Sequence, residues 1–372
     1  MIYIQDLTIK VFRGINELKL KNLAEINIIT GINNSGKTSI LEAIRLIENP
    51  LDIINAVRIS RQRENLFPPL MGRGRLGSFD SFINMFGRDG NINRIVLSGN
   101  FNSITFDLKI EGTIEKRLLD IDEFKKNSKN RYGVVDQDII NGEIDCFVGI
   151  IGYTKNGKHT EENVLLSRYD KFISNNRNAT INIEYLSPID HIIKNTHINQ
   201  LIKSGLKSEV IDVLRIFDPQ IKGLEMIGEG FNIVPYIDHE NLGLMPLSTY
   251  GDGLKKVLLL ASSIVKAKNG ILLIDEIETA IHVSALEEIF KWFVVACQKF
   301  QVQVFATTHS LEVIDAILKG VAVSYEKNNI NAENDPLRVI TLKKQNQKTL
   351  ARSLPGKEAL NSREEFDMEL RQ

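Results

Sequence analysis

The chain has 372 residues and a formal net charge of −1 at pH 7, which argues against a protein that coats nucleic acid through its global charge. No apolar run approaches the roughly 20 residues that span a bilayer, and the N-terminus lacks the basic-then-apolar pattern of a signal peptide. The two cysteines are far apart and have no metal-ligand neighbours. We therefore expect a cytoplasmic protein with reduced thiols, no membrane segment, and two lobes or one domain with a large insertion.

The first chemical motif follows a buried strand near the N-terminus. Alternating apolar residues at 2–9 and 17–23 predict flanking strands, and the apolar run 26–30 predicts a buried one. The next eight residues match G-x-x-x-x-G-K-[ST], the phosphate-loop pattern, in front of a predicted helix that adds its positive N-terminal end. Lys37 suits the outer phosphates and the Thr38 hydroxyl suits Mg²⁺. The residues predicted to bind the nucleotide here are Gly31, Asn33, Asn34, Ser35, Gly36, Lys37, Thr38 and Ser39.

A basic region follows the helix, which should end near Asn49–Pro50. Within 51–90 the sequence interleaves arginines with phenylalanines. Such a mixture can grip a nucleic-acid backbone and stack on bases, or it can form a solvated basic lobe around a small aromatic core, and the second reading is favoured. The residues concerned are Arg58, Arg61, Arg63, Arg73, Arg75, Arg88, Phe67, Phe79, Phe82 and Phe86.

Alternating apolar residues then predict a β-rich insertion at about 51–186 on a first ATPase lobe, 1–190. Antiparallel strands are expected within 94–117, with turns at Gly99–Asn100 and Glu111–Gly112, and a polar loop at 122–133. Further strands are expected near 145–153 and 180–186.

A helical subdomain is expected at 191–244. Helical spacing over 190–217, interrupted at Gly205, predicts two helices. No heptad pattern persists for three or four repeats, so no long coiled coil is expected.

Two more motifs that bear on phosphate chemistry lie in a predicted second lobe, 245–345. The first is a loop before an apolar helix, and it forms a second anion-binding N-terminus through Ser248, Gly251, Asp252 and Gly253. The second is the apolar strand 271–274, which ends in Asp275 and Glu276. Asp275 can hold Mg²⁺, and Glu276 can take a proton from an attacking water.

A third apolar strand, 303–307, is followed by His309. Because a parallel α/β sheet gathers its ligand at the carboxyl ends of its strands, we expect Lys37, Glu276 and His309 to meet there. His309 would then sense the terminal phosphate.

The order of these motifs resembles the ABC-type ATPases: phosphate loop, long insertion, signature loop, acidic strand and switch histidine. The resemblance implies an α/β fold, an ABC-type P-loop ATPase head with two lobes that binds ATP and Mg²⁺. It also implies that the signature of one protomer caps the nucleotide of another, in a homodimer or higher oligomer of heads.

Matching motifs at 1–50 and 245–320 are most similar to the chromosome-maintenance and recombination ATPases, in particular to the stand-alone branch related to the OLD (overcoming lysogenization defect) proteins. The residues that carry this are the Phe12–Gly14 turn, Asn33–Thr38, Asp275–Glu278 and His282. The resemblance implies that Arg13 contacts a nucleotide phosphate.

The chain departs from the family pattern in two places. The signature reads Leu-Ser-Thr-Tyr-Gly-Asp-Gly instead of the compact Leu-Ser-Gly-Gly form. The glutamine that completes the magnesium shell is also not evident, because Ser187–Pro188 occupy the expected position and Gln137 is a weak substitute.

The remaining residues, including a tail at 346–372, offer two apolar runs, 321–323 and 337–342, and charged residues. OLD-type nucleases carry a metal-dependent nuclease after the switch histidine, but no Asp-x-Asp occurs here, so no nuclease is expected. Glu364, Glu365 and Asp367 are interpreted as a solvated helix face.

Three functions are compatible with these features. The first is an ATPase that dimerises around ATP and controls a separate effector, a nuclease or toxin in bacterial anti-phage defence, as stand-alone members of the resembled branch often do. The second is a repair or recombination ATPase that binds DNA through the basic region at 58–88. The third, and least favoured, is the nucleotide-binding subunit of a transporter.

Overall fold

The computed structural model describes residues 1–65, 77–89, 92–118, 143–168, 170, 180–188, 195–203, 205–229, 232–279, 281–327, 334–346 and 348–371. The predicted polar loop at 122–133 lies outside these residues, as do Phe67, Arg73, Arg75 and Gln137. The chain divides into two compact units, one comprising residues 1–6, 20–41 and 181–372, and the other residues 7–19 and 42–180.

The described strands and helices follow one another in this order along the chain. The strands are β1 (Ile4–Phe12), β2 (Ile15–Leu20), β3 (Ile26–Gly31), β4 (Gly87–Asp89), β5 (Ile92–Phe101), β6 (Ile104–Leu118), β7 (Glu143–Lys155), β8 (Lys158–Ser167), β9 (Ile183–Leu186), β10 (Ile221–Glu229), β11 (Asn232–His239), β12 (Gly243–Pro246), β13 (Ile271–Ile274), β14 (Gln303–Thr307), β15 (Leu337–Gln345) and β16 (Lys348–Pro355). The helices are α1 (Lys37–Leu46), α2 (Ile53–Asn65), α3 (Ser78–Ile83), α4 (Asn195–Lys203), α5 (Lys207–Phe217), α6 (Asp252–Lys266), α7 (Leu286–Lys299), α8 (Leu311–Lys327) and α9 (Gly356–Phe366).

The first unit is built on a six-stranded sheet in the order β16-β15-β3-β14-β13-β9. All its neighbours pair in parallel except β15 and β16. Every residue of β3, β13 and β14 is buried, as expected for a parallel sheet covered on both faces. This is the predicted α/β fold, with the phosphate loop after a central strand.

One strand pairs differently from the sequence-based expectation. The segment 180–186 was assigned to the end of the β-rich insertion, but β9 pairs in parallel with β13 in the six-stranded sheet of the first unit, with Leu186 opposite Ile274. An isolated apolar run of this length carries no signal for its partner, and the pairing spans a long sequence separation.

The helices largely match the periodic pattern. Gly205, with φ +73°, separates α4 from α5 as predicted, because a left-handed backbone ends a helix. The apolar helix predicted after the signature loop extends to Lys266. The apolar run 321–323 is helical, inside α8.

A second sheet, whose strands lie mainly in the second unit, joins β1 and β2 to an antiparallel meander in the order β2-β1-β5-β6-β7-β8, and β4 pairs with β5. The two predicted turns are wrong. β5 continues through 99–100, and the turn lies at Asn102–Ser103, both with positive φ. β6 also continues through Gly112, which lies opposite Gly149 on β7. These two glycines make room for the Phe147 ring, since a Cβ on either one would lie within 3 Å of it.

The phenylalanines of the basic region lie in the core. Phe79, Phe82 and Phe86 are all buried, and the rings of Phe82 and Phe86 each lie 5.2 Å from that of Phe147. Buried rings cannot stack on nucleobases, which favours the aromatic-core interpretation for this part of the region. In the described parts of the chain, no helix is long and apolar enough to cross a membrane.

Gly112→Ala should destabilise the protein, although alanine is normally better than glycine inside a strand by about 0.5–1 kcal/mol. The added Cβ would lie 2.4 Å from the Val148 carbonyl oxygen and 2.7 Å from the Phe147 ring. Overpacking of this kind costs roughly 1–3 kcal/mol. The measurement is the midpoint of thermal unfolding by circular dichroism. Gly228→Ala is the control, because nothing lies within 4 Å of its Cβ, and equal midpoints for both variants would contradict the close-packing account.

Candidate ATPase site

The phosphate loop begins where β3 ends, and its backbone requires glycine. Gly31 has φ +140°, and a Cβ there would lie 2.6 Å from the Leu342 carbonyl oxygen on the neighbouring β15. Gly36 and Asn34 also have positive φ, at +106° and +62°. These turns bring the loop to the N-terminus of α1, where free backbone N–H groups and the helix dipole favour an anion.

Lys37 is the buried cation of this loop. Its Nζ donates to the carbonyl oxygens of Gly31, at 2.8 Å, and Ile32, at 3.1 Å. Burial lowers the pKa of Lys37, and the negative charges of Asp275 and Glu276 act in the opposite direction. The ammonium of Lys37 is therefore close enough to interact electrostatically with both carboxylates, and the sequence predicts this proximity of Lys37 and Glu276.

Among the other predicted loop residues, Asn33 and Asn34 are exposed, Thr38 is half-buried, and Ser35 and Ser39 are buried. The Ser35 Oγ has no hydrogen-bond partner among the described residues.

The acidic pair follows β13. Asp275 is buried, and its Oδ1 accepts a hydrogen bond from the Thr307 hydroxyl at 2.6 Å. Glu276 has φ +54°, a left-handed conformation that is uncommon for a residue with a side chain, and its N–H donates to the same hydroxyl at 2.8 Å. Partial burial and then the carboxylates of Asp275 and Glu278 raise the pKa of Glu276 above its ordinary value. A more basic carboxylate suits the predicted role as proton acceptor.

Thr307 is a site residue that the sequence analysis did not identify. One hydroxyl of β14 fixes both residues at the end of β13: it donates to the Asp275 carboxylate and accepts from the Glu276 backbone. Its signal in the sequence was a polar residue directly after the apolar run 304–306.

His309 lies beside this acidic end. The backbone N–H of His309 donates to Glu278 Oε1 at 2.8 Å, and its backbone carbonyl oxygen accepts from Arg371 Nη1 at 3.3 Å. Burial, followed by the charge of Lys37, lowers the pKa of the His309 imidazole below its ordinary value, so the ring is neutral near pH 7. Lys37, Glu276 and His309 thus share one end of the sheet, and Glu278 and Arg371 are contacts of the switch that sequence patterns did not reveal.

The signature loop is exposed. Leu247–Thr249 form a 3₁₀ turn, Ser248 and Gly251 are exposed, and α6 begins at Asp252. A Cβ placed on Gly251 or Gly253 would meet nothing within 4 Å. The N-terminal end of a 15-residue helix is therefore accessible to an anion from outside the chain.

Arg13 lies in the second unit, where it binds Glu42 of α1. Its Nη2 donates to Glu42 Oε1 at 3.1 Å, and its Nε lies 2.7 Å from Oε2. Arg63 binds the same buried carboxylate through two bonds of 2.8 Å. The structure thus pairs Arg13 with a carboxylate, and the phosphate contact that the resemblance implies for Arg13 stays a prediction.

The available donor set suits magnesium. Mg²⁺ prefers hard oxygen ligands, and Thr38 and Asp275, both in the first unit, supply a hydroxyl and a carboxylate. The described residues contain no group of three or more His, Cys, Asp or Glu placed to hold a metal ion by themselves. Two protein oxygens are sufficient for Mg²⁺ when a nucleotide supplies phosphate oxygens and water completes the shell.

Comparison with known proteins agrees with this arrangement. Residues 157–315 match a family described as "AAA domain, putative AbiEii toxin, Type IV TA system". An "ATP/GTP phosphatase" of Helicobacter pylori is 24% identical over 355 residues, which are 85% of this chain and 88% of that protein. The "DNA replication and repair protein RecF" of Idiomarina loihiensis is 50% identical over 46 residues, which are 12% of this chain and 13% of that protein. The chain is an ATPase, and its motifs and matches resemble those of the ABC-type ATPases of the SMC/RecF-like branch.

A solved structure described as "SMC head domain from Thermotoga maritima" is similar to this ATPase at 13% identity, with a TM-score of 0.43, over 95% of this chain and 99% of that one. The assignment as an ATPase rests on the motifs and on the relatives found by sequence.

Thr307→Val should weaken the site without disturbing its shape, because valine matches threonine in volume and removes the shared hydroxyl. We expect a higher Mg²⁺ concentration for half-maximal ATP hydrolysis and a lower maximal rate, each on the order of 10–100-fold, as for other residues that orient metal ligands. The measurement is a magnesium titration of steady-state hydrolysis. Thr307→Ser keeps the hydroxyl and should stay near wild type, and a Thr307→Val enzyme with an unchanged magnesium response would contradict this role.

Proposed function

We propose that this ATPase dimerises around ATP, with the signature loop of each protomer completing the nucleotide site of the other. The observation that carries this proposal is that one protomer presents its signature loop to the outside, whereas the residues predicted to bind and hydrolyse ATP lie at the edge of the sheet. Lys37, Glu276 and His309 lie together at the sheet edge, whereas the signature loop presents an exposed helix N-terminus. Such an N-terminus can bind an anion, and in this proposal the anion is the phosphate of the nucleotide held by a second copy of the chain.

In this proposal each predicted residue has a defined task. The loop backbone and Lys37 bind the phosphates, while Thr38 and Asp275 hold Mg²⁺, which supplies positive charge against the phosphate oxygens. Glu276 accepts a proton from the attacking water. The neutral His309 contacts the terminal phosphate, and the residues that cap the partner's nucleotide are Ser248, Gly251, Asp252 and Gly253.

We further propose that assembly, and not rapid turnover, is the output, and that the ATP-bound dimer controls a separate effector, a nuclease or toxin in anti-phage defence. A site that is complete only after two heads meet hydrolyses ATP slowly and couples hydrolysis to assembly. The family description, which names a putative toxin of a toxin–antitoxin system, supports a link between this kind of ATPase domain and such systems.

The alternative is a DNA-binding repair or recombination ATPase, and the short RecF match favours it. Two observations weigh against the basic region at 58–88 as a DNA-binding surface. The described phenylalanines of the basic region are buried, and Arg63 already pairs with Glu42. Arg58 and Arg61 on α2 are exposed and remain the residues through which DNA would bind.

Two inactive variants should restore one another if the site is shared. Lys37→Ala removes the phosphate-binding cation, and Ser248→Arg blocks the exposed signature loop. In a mixture, about half of the dimers are mixed and each holds one complete site, so hydrolysis should recover to about a quarter of the wild-type rate. The measurement is steady-state phosphate release from the equimolar mixture.

The control for this complementation mixes Lys37→Ala with Glu276→Gln. Both substitutions damage the same half of the site, so every mixed dimer lacks a complete site and no recovery is expected. Recovery in both mixtures, or in neither, would contradict a site assembled from two protomers.

The effector proposal predicts a nucleotide-dependent partner. Glu276→Gln keeps the shape of the side chain and loses the base, so it should bind ATP and hydrolyse it slowly. Mass spectrometry of proteins that co-purify from the native host with ATP-bound Glu276→Gln should find a stoichiometric nuclease or toxin-like protein. The Lys37→Ala protein, purified identically, should lack it. DNA with repair proteins, and no such effector, would favour the alternative.

A further inference from the structure

The helix that follows the signature loop carries a buried lysine. Lys256 lies in the first two turns of α6, only 3% of it is exposed, and its Nζ donates to the Thr279 carbonyl oxygen at 2.9 Å. A buried ammonium is costly unless it is hydrogen-bonded, so this contact is the one that holds Lys256 in place.

The residue before Thr279 contacts the switch. Glu278 Oε1 accepts the His309 N–H at 2.8 Å, and Glu278 Oε2 is buried with no hydrogen-bond partner among the described residues. The segment Glu278–Thr279 is thus bonded to the signature helix through Thr279 and to the switch through Glu278. All these residues belong to the first unit.

The surroundings of Lys256 are otherwise apolar. The elements packed against α6 are α5, α7 and β9, and they contribute mainly apolar side chains to the core. In the described part of the chain, Glu278 is the charged group that acts on Lys256. Burial lowers the pKa of Lys256 to about 8, and the charge of Glu278 opposes that shift.

We propose that Lys256 and Glu278 are positioning residues that connect the signature helix to the switch histidine. The position of the signature loop would then set the hydrolysis rate at the nucleotide site of the same protomer. The connection to the other protomer rests on the proposed sandwich of two heads, whereas the connection from Lys256 to His309 lies within one chain.

The contacts explain how a change in the position of the signature loop would reach His309. When the signature loop binds an anion, α6 shifts and Lys256 moves with it. The Thr279 carbonyl follows the ammonium, and the attached Glu278 carboxylate carries the His309 backbone along. Because Glu278 Oε2 is an acceptor without a partner, the ammonium has a second acceptor in the shifted position.

The first test substitutes the lysine. Lys256→Met keeps the length and the apolar stem but removes the donor, so kcat should fall on the order of tenfold while KM for ATP changes less than about threefold. Lys256→Arg keeps a charged donor and should retain most of the rate. Lys266→Met, at the far end of the same helix where Lys266 faces Glu184, should behave as wild type.

The second test is the pH dependence of kcat, which a purely structural role would not move. The wild-type rate should fall as the pH rises through about 8, because Lys256 loses its proton there. In Lys256→Arg this fall should disappear, since arginine stays charged. In Glu278→Gln the fall should move to lower pH, because the carboxylate that raises the lysine pKa is gone and an oxygen for His309 remains.

An unchanged kcat in Lys256→Met, or an alkaline fall that stays in place in both Lys256→Arg and Glu278→Gln, would overturn the proposal. If Lys256→Met does not fold, the pH profiles of the other two variants decide. The mixture of Lys37→Ala and Ser248→Arg tests the sandwich separately. If hydrolysis recovers in that mixture but the alkaline fall in kcat does not shift in the variants, only the connection from Lys256 to His309 is contradicted. If the fall shifts but hydrolysis does not recover, only the sandwich of two heads is contradicted.

Discussion

In-register parallel pairing brings the loops after β3, β13 and β14 to one edge of the first unit's sheet. Ile29 of β3 lies opposite Thr307 of β14, and Ile274 of β13 lies opposite Ala306. A slip of one residue would turn each side chain to the opposite face and would separate Thr307 from the acidic pair. The phosphate loop, the carboxylates and the switch can therefore act together only in this register.

Two buried amides hold that register. The Asn27 amide donates to the Val304 carbonyl oxygen at 3.1 Å, which links β3 to β14. The Gln303 amide oxygen accepts the N–H groups of Tyr3 and Ile4, and its NH2 group donates to the carbonyl oxygens of Ile4 and Ala24. These bonds link β14 to the start of β1 and to the residues just before β3. Both side chains are fully buried, and an unsatisfied buried amide is costly, so alternative registers that break these bonds are disfavoured.

The sequence predicted the parts of this arrangement that depend on local patterns. Strands buried on both faces appear as continuous apolar runs, so β3, β13 and β14 were located correctly. Because their carboxyl ends meet at one edge, the proximity of Lys37, Glu276 and His309 also followed. Gly205 separated two helices as expected, since a single residue determines that break.

The parts that depend on distant residues were not predictable. Thr307 contacts Asp275 across 32 positions of sequence, and no local pattern distinguishes it from any polar residue at a strand end. Gly112 was assigned to a turn, although it lies within β6 and faces the Phe147 ring. A glycine required for close packing has the same sequence signal as one required for a turn. The predicted domain limits and the roles of the site residues remain proposals.

The packing of α7 on α5 has a spectroscopic consequence. The protein contains one tryptophan, Trp292, whose indole N–H donates to the Val213 carbonyl oxygen at 2.7 Å and whose ring meets Phe217 edge-on. Its emission therefore depends on the unfolding of the unit that contains the phosphate loop, while far-ultraviolet circular dichroism records both units. Comparing the two denaturation curves of one unlabelled sample separates the stability of the nucleotide-binding unit from that of the β-rich unit.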